Sequence, residues 1–218
     1  EREIRRRERR VGDPAGIPRY HEKVMAYKFR PMFALYASRG CPFQCTFCSS
    51  PNEFEEIFGK RMRTHSIPWI LDEIRILQER FGIREVIFVD DTFNLKRSRV
   101  MAFCQALVEA KLELSWTCNF MVHITDRELQ GAMKKAGCWS IMIGAESGDP
   151  RVLIDLKKGI TVEELTRTAA WCEEVGIASR PSFILGTPTD TPESIRRTIA
   201  FAAGGRFHFP YFQLYVPL

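Results

Sequence analysis

Short apolar runs alternate with amphipathic stretches along residues 33–216, and this alternation predicts strands and helices in turn. A continuous apolar run of about four to eight residues is typical of a buried strand. Apolar residues three or four apart instead indicate one face of a helix. The predicted strands are, in chain order, Phe33–Ala37, Val86–Val89, Leu114–Cys118, Trp139–Ile143, Pro181–Leu185 and Tyr211–Val216.

Capping residues mark most of the helices between these strands. The predicted helix starts are Ser66, Thr125, Thr161 and Thr191, and Thr125 and Thr161 each have a glutamate three residues later. That spacing is the capping box, in which two side chains satisfy two free N–H groups. Gly82, Gly137 and Gly176 end three of the helices, as glycine often does. A further helix around Val100–Val108 is predicted from apolar spacing alone.

The order of these elements predicts the fold class. Six strands separated by five helices indicate parallel strands joined by right-handed crossovers. A complete barrel of this kind has eight strands and about 250 residues, so we predict an α/β fold, a partial (β/α)6 TIM-like barrel, over residues 31–218. A doubly wound open sheet is the alternative, because it has the same alternation. Residues 1–30 are predicted to be an N-terminal basic arm or linker.

Composition and charge exclude several classes of protein. Hydrophobic residues make up 45% and charged residues 27% of the chain, as in ordinary globular domains. No run approaches the ~20 apolar residues of a membrane helix, and no secretory leader pattern is present, so we expect no membrane span and a cytoplasmic location. The net charge is +5, of which residues 1–10 carry +3. The remaining charge is too small to favour nucleic-acid binding.

Three of the seven cysteines, Cys41, Cys45 and Cys48, follow the first predicted strand directly. In alternating α/β folds, active sites form at the edge of the sheet where the carboxyl ends of the strands lie, and the cysteines are expected at that edge. Soft thiolates suit an iron–sulfur cluster, and because a cluster usually has four cysteines, three predict one iron with an open position. The alternative is structural zinc with His65 or His21 as fourth ligand, but zinc sites usually pair their cysteines as two CxxC motifs.

The CxxxCxxC spacing, with Phe47 before the last cysteine, resembles the signature of the radical S-adenosylmethionine (SAM) superfamily. The resemblance covers about residues 31–218. It implies a 4Fe–4S cluster on the three cysteines, with SAM bound at the open iron. It further implies reductive cleavage of SAM to a 5′-deoxyadenosyl radical that abstracts hydrogen from a substrate. A reducing partner such as flavodoxin or ferredoxin is implied as well, whereas the substrate is not.

Acidic residues after two later strands extend the resemblance. Asp90 and Asp91 belong to an Asp-Asp-x-Phe run that is similar to the cobalamin-associated branch of the superfamily and replaces the more common Gly-Gly-Glu. Glu146 and Ser147 lie in a Gly-Ala-Glu-Ser-Gly run that resembles the same branch. The resemblance implies that these side chains bind the amino group or ribose of SAM. The alternatives are a helix cap for the aspartates and a simple turn for the second run.

Two residues that flank the fifth predicted strand complete the candidate cofactor site. Gly186 resembles a glycine that lies near the adenine of SAM in this superfamily. Arg180 either pairs with the SAM carboxylate or lies on the surface at the other end of the strand, and the sequence leaves both open. The remaining cysteines, on apolar faces or beside strands, are predicted to pack in the core; they are Cys104, Cys118, Cys138 and Cys172.

The resemblance also implies the class of reaction. The cobalamin-associated branch performs methyl transfer or ring formation, so we expect a radical SAM enzyme of one of these kinds. Cobalamin itself is expected only in a longer parent protein, because this sequence has no Asp-x-His-x-x-Gly run. An RNA methylthiotransferase-like radical SAM enzyme is the second enzymatic hypothesis, and a zinc-binding interaction domain is the non-enzymatic one.

Overall fold

The computed structural model describes residues 31–49 and 62–216, so the predicted arm over residues 1–30, including His21, lies outside the described residues. The strands are β1 (Met32–Leu35), β2 (Ser38–Arg39), β3 (Arg63–Thr64), β4 (Glu85–Phe88), β5 (Ser115–Phe120), β6 (Cys138–Glu146), β7 (Ala178–Leu185) and β8 (Tyr211–Leu214). The helices are α1 (Ile67–Phe81), α2 (Arg97–Glu109), α3 (Arg127–Lys135), α4 (Pro150–Asp155), α5 (Val162–Val175) and α6 (Pro192–Gly204).

Six of the strands form one parallel sheet in the order β1-β4-β5-β6-β7-β8. The strands lie side by side in the order in which they follow one another in the chain, and every neighbouring pair is parallel. A doubly wound sheet would reverse this order at one point, so that alternative is wrong. The prediction of a partial barrel is confirmed, since the six strands curl in one direction as a half-barrel. β2 and β3 form a separate antiparallel pair, which the sequence did not predict.

Several strand limits differ from the predicted ones. β5 runs on to Phe120, two residues past its predicted end, whereas β8 stops at Leu214. β6 continues to Glu146, where its register with β7 shifts in a bulge after Gly144. β7 begins at Ala178 and contains Pro181 in its middle, although proline favours strand ends and edges. The Gly-Ala-Glu-Ser-Gly run after the fourth predicted strand is partly in the sheet, because β6 extends to Glu146.

The helix caps agree with the sequence at most positions. Ser66 Oγ accepts a hydrogen bond from the Trp69 N–H, and Thr161 forms the predicted capping box with Glu164. The predicted cap at Thr125 is wrong, because Asp126 is the N-cap of α3 and its carboxylate accepts from Leu129 N. α4, only six residues long, was not predicted.

An aromatic cluster forms the centre of the core between the sheet and the helices. Phe88 on β4, Phe93 in the following loop, Phe103 on α2 and Trp116 on β5 lie with ring centroids 4.8–5.7 Å apart. Such contacts contribute about 0.5–1.5 kcal/mol per pair beyond burial. Phe93 thereby anchors the loop after β4 to the core. The prediction that four cysteines pack in the core is confirmed, since Cys104, Cys118, Cys138 and Cys172 are buried free thiols.

No helix within residues 31–49 and 62–216 has both the length and the apolar character of a membrane span.

Candidate functional site

The three cysteines lie on a loop at the carboxyl edge of the sheet. All three are free thiols, with Cys45 buried and Cys41 and Cys48 partly exposed. Within the loop, Cys48 N–H donates to the Cys45 carbonyl at 3.2 Å. Thr46 N–H donates to the carbonyl of Leu156, just after α4, at 3.0 Å. The loop therefore reaches from the end of β1 to the segment that follows β6 and α4.

Asp90, at the end of β4, binds the residues that lead into this loop. Its Oδ1 accepts from the Ala37 N–H at 2.8 Å, and its Oδ2 accepts from the Ser38 hydroxyl. The side chain is almost fully buried, and burial raises its pKa to about 6, although these two hydrogen bonds act in the opposite direction. Both oxygens are thus used inside the protein, and the predicted contact of Asp90 with SAM stays a prediction.

The next two residues hold the beginning of the loop itself. Asp91 Oδ2 accepts from the Gly40 N–H at 2.9 Å, and Thr92 Oγ1 lies 3.7 Å from Cys41 Sγ. Neither aspartate caps α2, whose N-cap is Lys96, so the alternative of a helix cap is wrong. Instead, Asp90, Asp91 and Thr92 contact, in that order, the chain at Ala37 and Ser38, at Gly40 and at Cys41.

Glu146, at the end of β6, forms a buried ion pair on the other side of the loop. Its Oε1 lies 2.7 Å from Lys158 Nζ, and the two side chains are 6% and 11% exposed. Lys158 Nζ also lies 5.6 Å from the ring centroid of Phe47. A Cβ on Gly144 would stand 2.6 Å from Nζ and closer still to Oε1, so only glycine leaves room for the pair.

The charges of this pair and of the cysteines influence one another. Burial disfavours the charge on Lys158, but the charge and hydrogen bond of Glu146, together with the charges of Cys45 and Cys48, hold the pKa of the ammonium above its ordinary value. Burial raises the pKa of the Cys45 thiol, the charge of Lys158 lowers it, and the charges of Cys48 and Cys41 raise it again. The three sulfurs, the ammonium and the carboxylate therefore share one electrostatic environment.

Two further predicted residues directly follow strands, Ser147 after β6 and Gly186 after β7. Ser147 is buried, and its hydroxyl bonds to Thr198 on α6 at 2.9 Å and accepts from Asp149 N at 3.0 Å. Gly186 has φ +83°, a value that favours glycine, and its N–H donates to Asp190 at 3.0 Å. Both are placed at the carboxyl edge, and their contacts with SAM stay predictions.

Arg180 lies within the half-barrel rather than on its outer face. Phe183, three residues later, packs against Phe201 and Phe207 on the helix side of β7. Since side chains alternate along a strand, Arg180 is on the opposite, concave face, where it pairs in register with Met142 and is partly buried. Arg180 is the third residue of β7 and so lies nearer its amino end than its carboxyl end, and its predicted contact with the SAM carboxylate stays a prediction.

The chemistry of the three thiols in the cysteine loop suits an iron–sulfur cluster. In the part of the chain that the structure describes, no three His, Cys, Asp or Glu side chains are grouped to hold one ion. The His65 ring stacks on Trp69, with centroids 3.9 Å apart. Three unpaired soft thiolates on one loop suit a cluster, in which they bind different irons. These residues could therefore hold a 4Fe–4S cluster.

Comparison with known proteins decides the family. The family model described as the radical SAM superfamily matches residues 35–202. This chain belongs to the radical SAM superfamily. It is a radical SAM enzyme domain, and the resemblance of its cysteine motif is thereby confirmed.

Relatives and solved structures with the same fold carry more specific names. The domain is 35% identical over 187 residues to an uncharacterized methyltransferase of Pyrococcus horikoshii, covering 86% of this chain and 40% of the relative. It is 26% identical over 182 residues to an anaerobic magnesium-protoporphyrin IX monomethyl ester cyclase of Rubrivivax gelatinosus, covering 83% and 32%. The radical SAM methyltransferase TsrM of Kitasatospora setae, solved with cobalamin and a [4Fe-4S] cluster, shares the fold at TM-score 0.77 and 22% identity, covering 84% and 36%.

The domain thus spans well under half the length of these curated relatives.

Two side chains of the site were not found by sequence reasoning. Lys158 lies twelve residues after Glu146 beyond an unpredicted helix, and no local spacing signals such a pair. Thr92 follows the two aspartates directly, and its place after a strand was the one signal that could have identified it.

Proposed function

We propose that this domain is the catalytic core of a radical SAM enzyme in which Cys41, Cys45 and Cys48 bind a 4Fe–4S cluster. The observation that carries the proposal is the set of three free thiols on one loop at the carboxyl edge of a partial barrel. With three thiolates, one iron keeps a position for the amino and carboxylate groups of SAM. When bound, the cluster supplies the electron that cleaves SAM, and the resulting 5′-deoxyadenosyl radical abstracts hydrogen from a substrate.

The protein groups around the loop then orient the cofactor. Asp90 and Asp91 hold the chain before Cys41, as their hydrogen bonds to Ala37 and Gly40 support. Arg180 is proposed to bind the carboxylate of SAM, because it faces the concave side and a guanidinium suits that group. The other proposed contacts with SAM are made by Phe47, Asp90, Asp91, Glu146, Ser147 and Gly186. A reduced flavodoxin or ferredoxin is the proposed electron donor.

Methyl transfer is the reaction class that we favour for the whole protein. Its support is the relatedness to a methyltransferase and the shared fold of TsrM, and cobalamin is proposed as a cofactor of the whole protein on the same ground. Ring formation is the second candidate, supported by the similarity to a cyclase. Products separate the two, because methyl transfer yields S-adenosylhomocysteine in addition to 5′-deoxyadenosine. An RNA methylthiotransferase would instead leave a methylthio group on RNA.

Anaerobic reconstitution with iron and sulfide tests the cluster. We expect about four irons per chain, an EPR spectrum that changes when SAM is added, and formation of 5′-deoxyadenosine under reduction. Cys45→Ala should lose the cluster and the product. Cys104→Ala is the matched control, since it removes a buried thiol of the core on α2.

The Cys104→Ala control should keep both the iron content and the formation of 5′-deoxyadenosine. Normal iron content and SAM cleavage in Cys45→Ala would reject the assignment of the ligands. Uptake of one zinc ion without iron by the unmodified protein would support the zinc-binding interaction domain in place of an enzyme.

A further inference from the structure

A buried ammonium and carboxylate lie against the cysteine loop, and the cofactor contacts proposed above do not account for the ammonium. The pair of Lys158 and Glu146 has both side chains nearly excluded from water. Removing two charges from water costs several kcal/mol per ion before their mutual attraction offsets it. Because this ion pair is buried beside the cysteine loop, solvation of the protein surface does not explain its presence.

Lys158 is held to the cysteine loop through the backbone as well as through its charge. Its N–H donates to the carbonyl of Leu153 on α4 at 3.2 Å, which fixes the chain after that helix. Two residues before it, the Leu156 carbonyl accepts the 3.0 Å bond from Thr46, between Cys45 and Cys48. These two bonds hold the backbone that carries Lys158 beside the cysteine loop.

The backbone of β6 is also shaped around the pair. Glu146 has φ +59°, a left-handed value that is uncommon for a residue with a side chain. The register of β6 with β7 shifts at the same place, and Gly144 leaves the space that the two charged groups fill. Such local strain persists only where the surrounding structure enforces it.

We propose that Lys158 is a positioning residue of the cluster site, whose buried ammonium raises the reduction potential of the cluster while Glu146 limits that rise. The proposal rests on the cluster proposed above. Reduction adds one electron from the donor to the cluster and breaks no bond, so its negative charge increases by one. A fixed cation nearby stabilises the reduced form more than the oxidised form, and a nearby carboxylate does the opposite.

Redox titration of the reconstituted protein, followed by EPR in the absence of SAM, tests this role. Lys158→Met should lower the midpoint potential by about 59 mV. For a one-electron couple this is a tenfold change in the ratio of oxidised to reduced cluster. Glu146→Gln should raise the potential, because the ammonium then has no counter-charge. The double variant should return close to the unmodified protein. Shifts of opposite sign are not expected from a merely structural role.

Two further variants serve as controls. Lys157→Met removes the neighbouring lysine, which is exposed, and should leave the potential unchanged. Lys158→Arg keeps the charge and should keep the raised potential. If Lys158→Met fails to retain a cluster, the comparison of Glu146→Gln with Lys158→Arg still decides the question.

The possible failures are distinguishable. One outcome is that Lys158→Met and Glu146→Gln both bind a normal amount of cluster, and that their potentials are either unchanged or shifted with the same sign. That outcome overturns the role of the pair and leaves the proposed enzyme intact. If Lys158→Met has no cluster, an unchanged or lowered potential in Glu146→Gln overturns it equally. Failure of the unmodified protein to bind any cluster overturns the proposed function, and this inference with it.

Discussion

The Asp90 carboxylate accepts a hydrogen bond from the backbone N–H of Ala37, 2.8 Å away, and so connects the end of β4 to the chain that leads into the cysteine loop. Arg99 on α2 reaches the same place, where its guanidinium donates to the Ala37 carbonyl at 3.2 Å. The backbone N–H and the carbonyl of Ala37 are thus both hydrogen-bonded to side chains from distant parts of the chain. This arrangement holds the loop in position before any cofactor binds.

The buried Asp90 should make stability depend on pH. Its pKa is about 6 in the folded protein and 3.8 ordinarily, so the folded state binds the proton more tightly. The free energy of unfolding therefore falls as the pH rises from about 4 to about 6, by on the order of 2–3 kcal/mol. Asp90→Asn lacks this titration, and its stability relative to the unmodified protein should increase over that range.

Urea unfolding at a series of pH values measures this difference. Asp72→Asn is the control, because Asp72 is an exposed residue paired with Arg75. An identical pH slope in Asp90→Asn and the unmodified protein would show that Asp90 does not titrate in this way.

The space at Gly144 should be essential for the ion pair beside the loop. Gly144→Ala places a methyl group against Lys158 Nζ and Glu146 Oε1, which must then move apart. We expect a loss of about 1–3 kcal/mol in the free energy of unfolding, as for other overpacked sites. Gly131→Ala on α3 is the matched control, since its new methyl group meets open space. It should be neutral or stabilise the helix by up to about 1 kcal/mol, and equal effects of both substitutions would contradict the argument.

The aromatic anchor of the loop after β4 should contribute strongly to stability. Phe93 is 6% exposed and contacts Phe88, Phe103 and Trp116, so Phe93→Ala should cost about 3–5 kcal/mol. Phe209→Ala removes an aromatic ring that is 53% exposed and should change stability by less than about 0.5 kcal/mol. Chemical denaturation of both variants gives the comparison. A small effect at Phe93 would mean that the loop is not anchored through this ring.

The hydroxyl beside Cys41 should have a measurable effect on the proposed cluster. Thr92→Val keeps the shape of the side chain but removes the oxygen that lies 3.7 Å from Cys41 Sγ. Hydrogen bonds to cluster sulfurs contribute to the reduction potential, so we expect a lower midpoint potential and a smaller shift than in Lys158→Met. Thr166→Val on the exposed face of α5 should have no effect. The same redox titration measures both, and a higher potential in Thr92→Val would contradict the prediction.

Sequence reasoning predicted the fold well where local patterns determine it. The alternation of strands and helices, the six barrel strands and the cysteine loop after the first of them could all be predicted, because each depends on residues close together in the chain. The errors have local causes as well. Asp126 competes with Thr125 as a helix cap, and Pro181 resembles a strand end although it lies inside β7.

The amino-acid sequence by itself determined the order of the elements, the cysteine spacing and the membership of the superfamily that this spacing indicates. Only the tertiary structure decided what the acidic side chains contact. Asp90 and Asp91 bind the chain before Cys41, and Glu146 binds Lys158, across intervals that hydrophobic periodicity cannot bridge. The physical reason is that a buried charge is stabilised by whichever partner the fold brings within hydrogen-bond distance, and that partner depends on how distant segments pack.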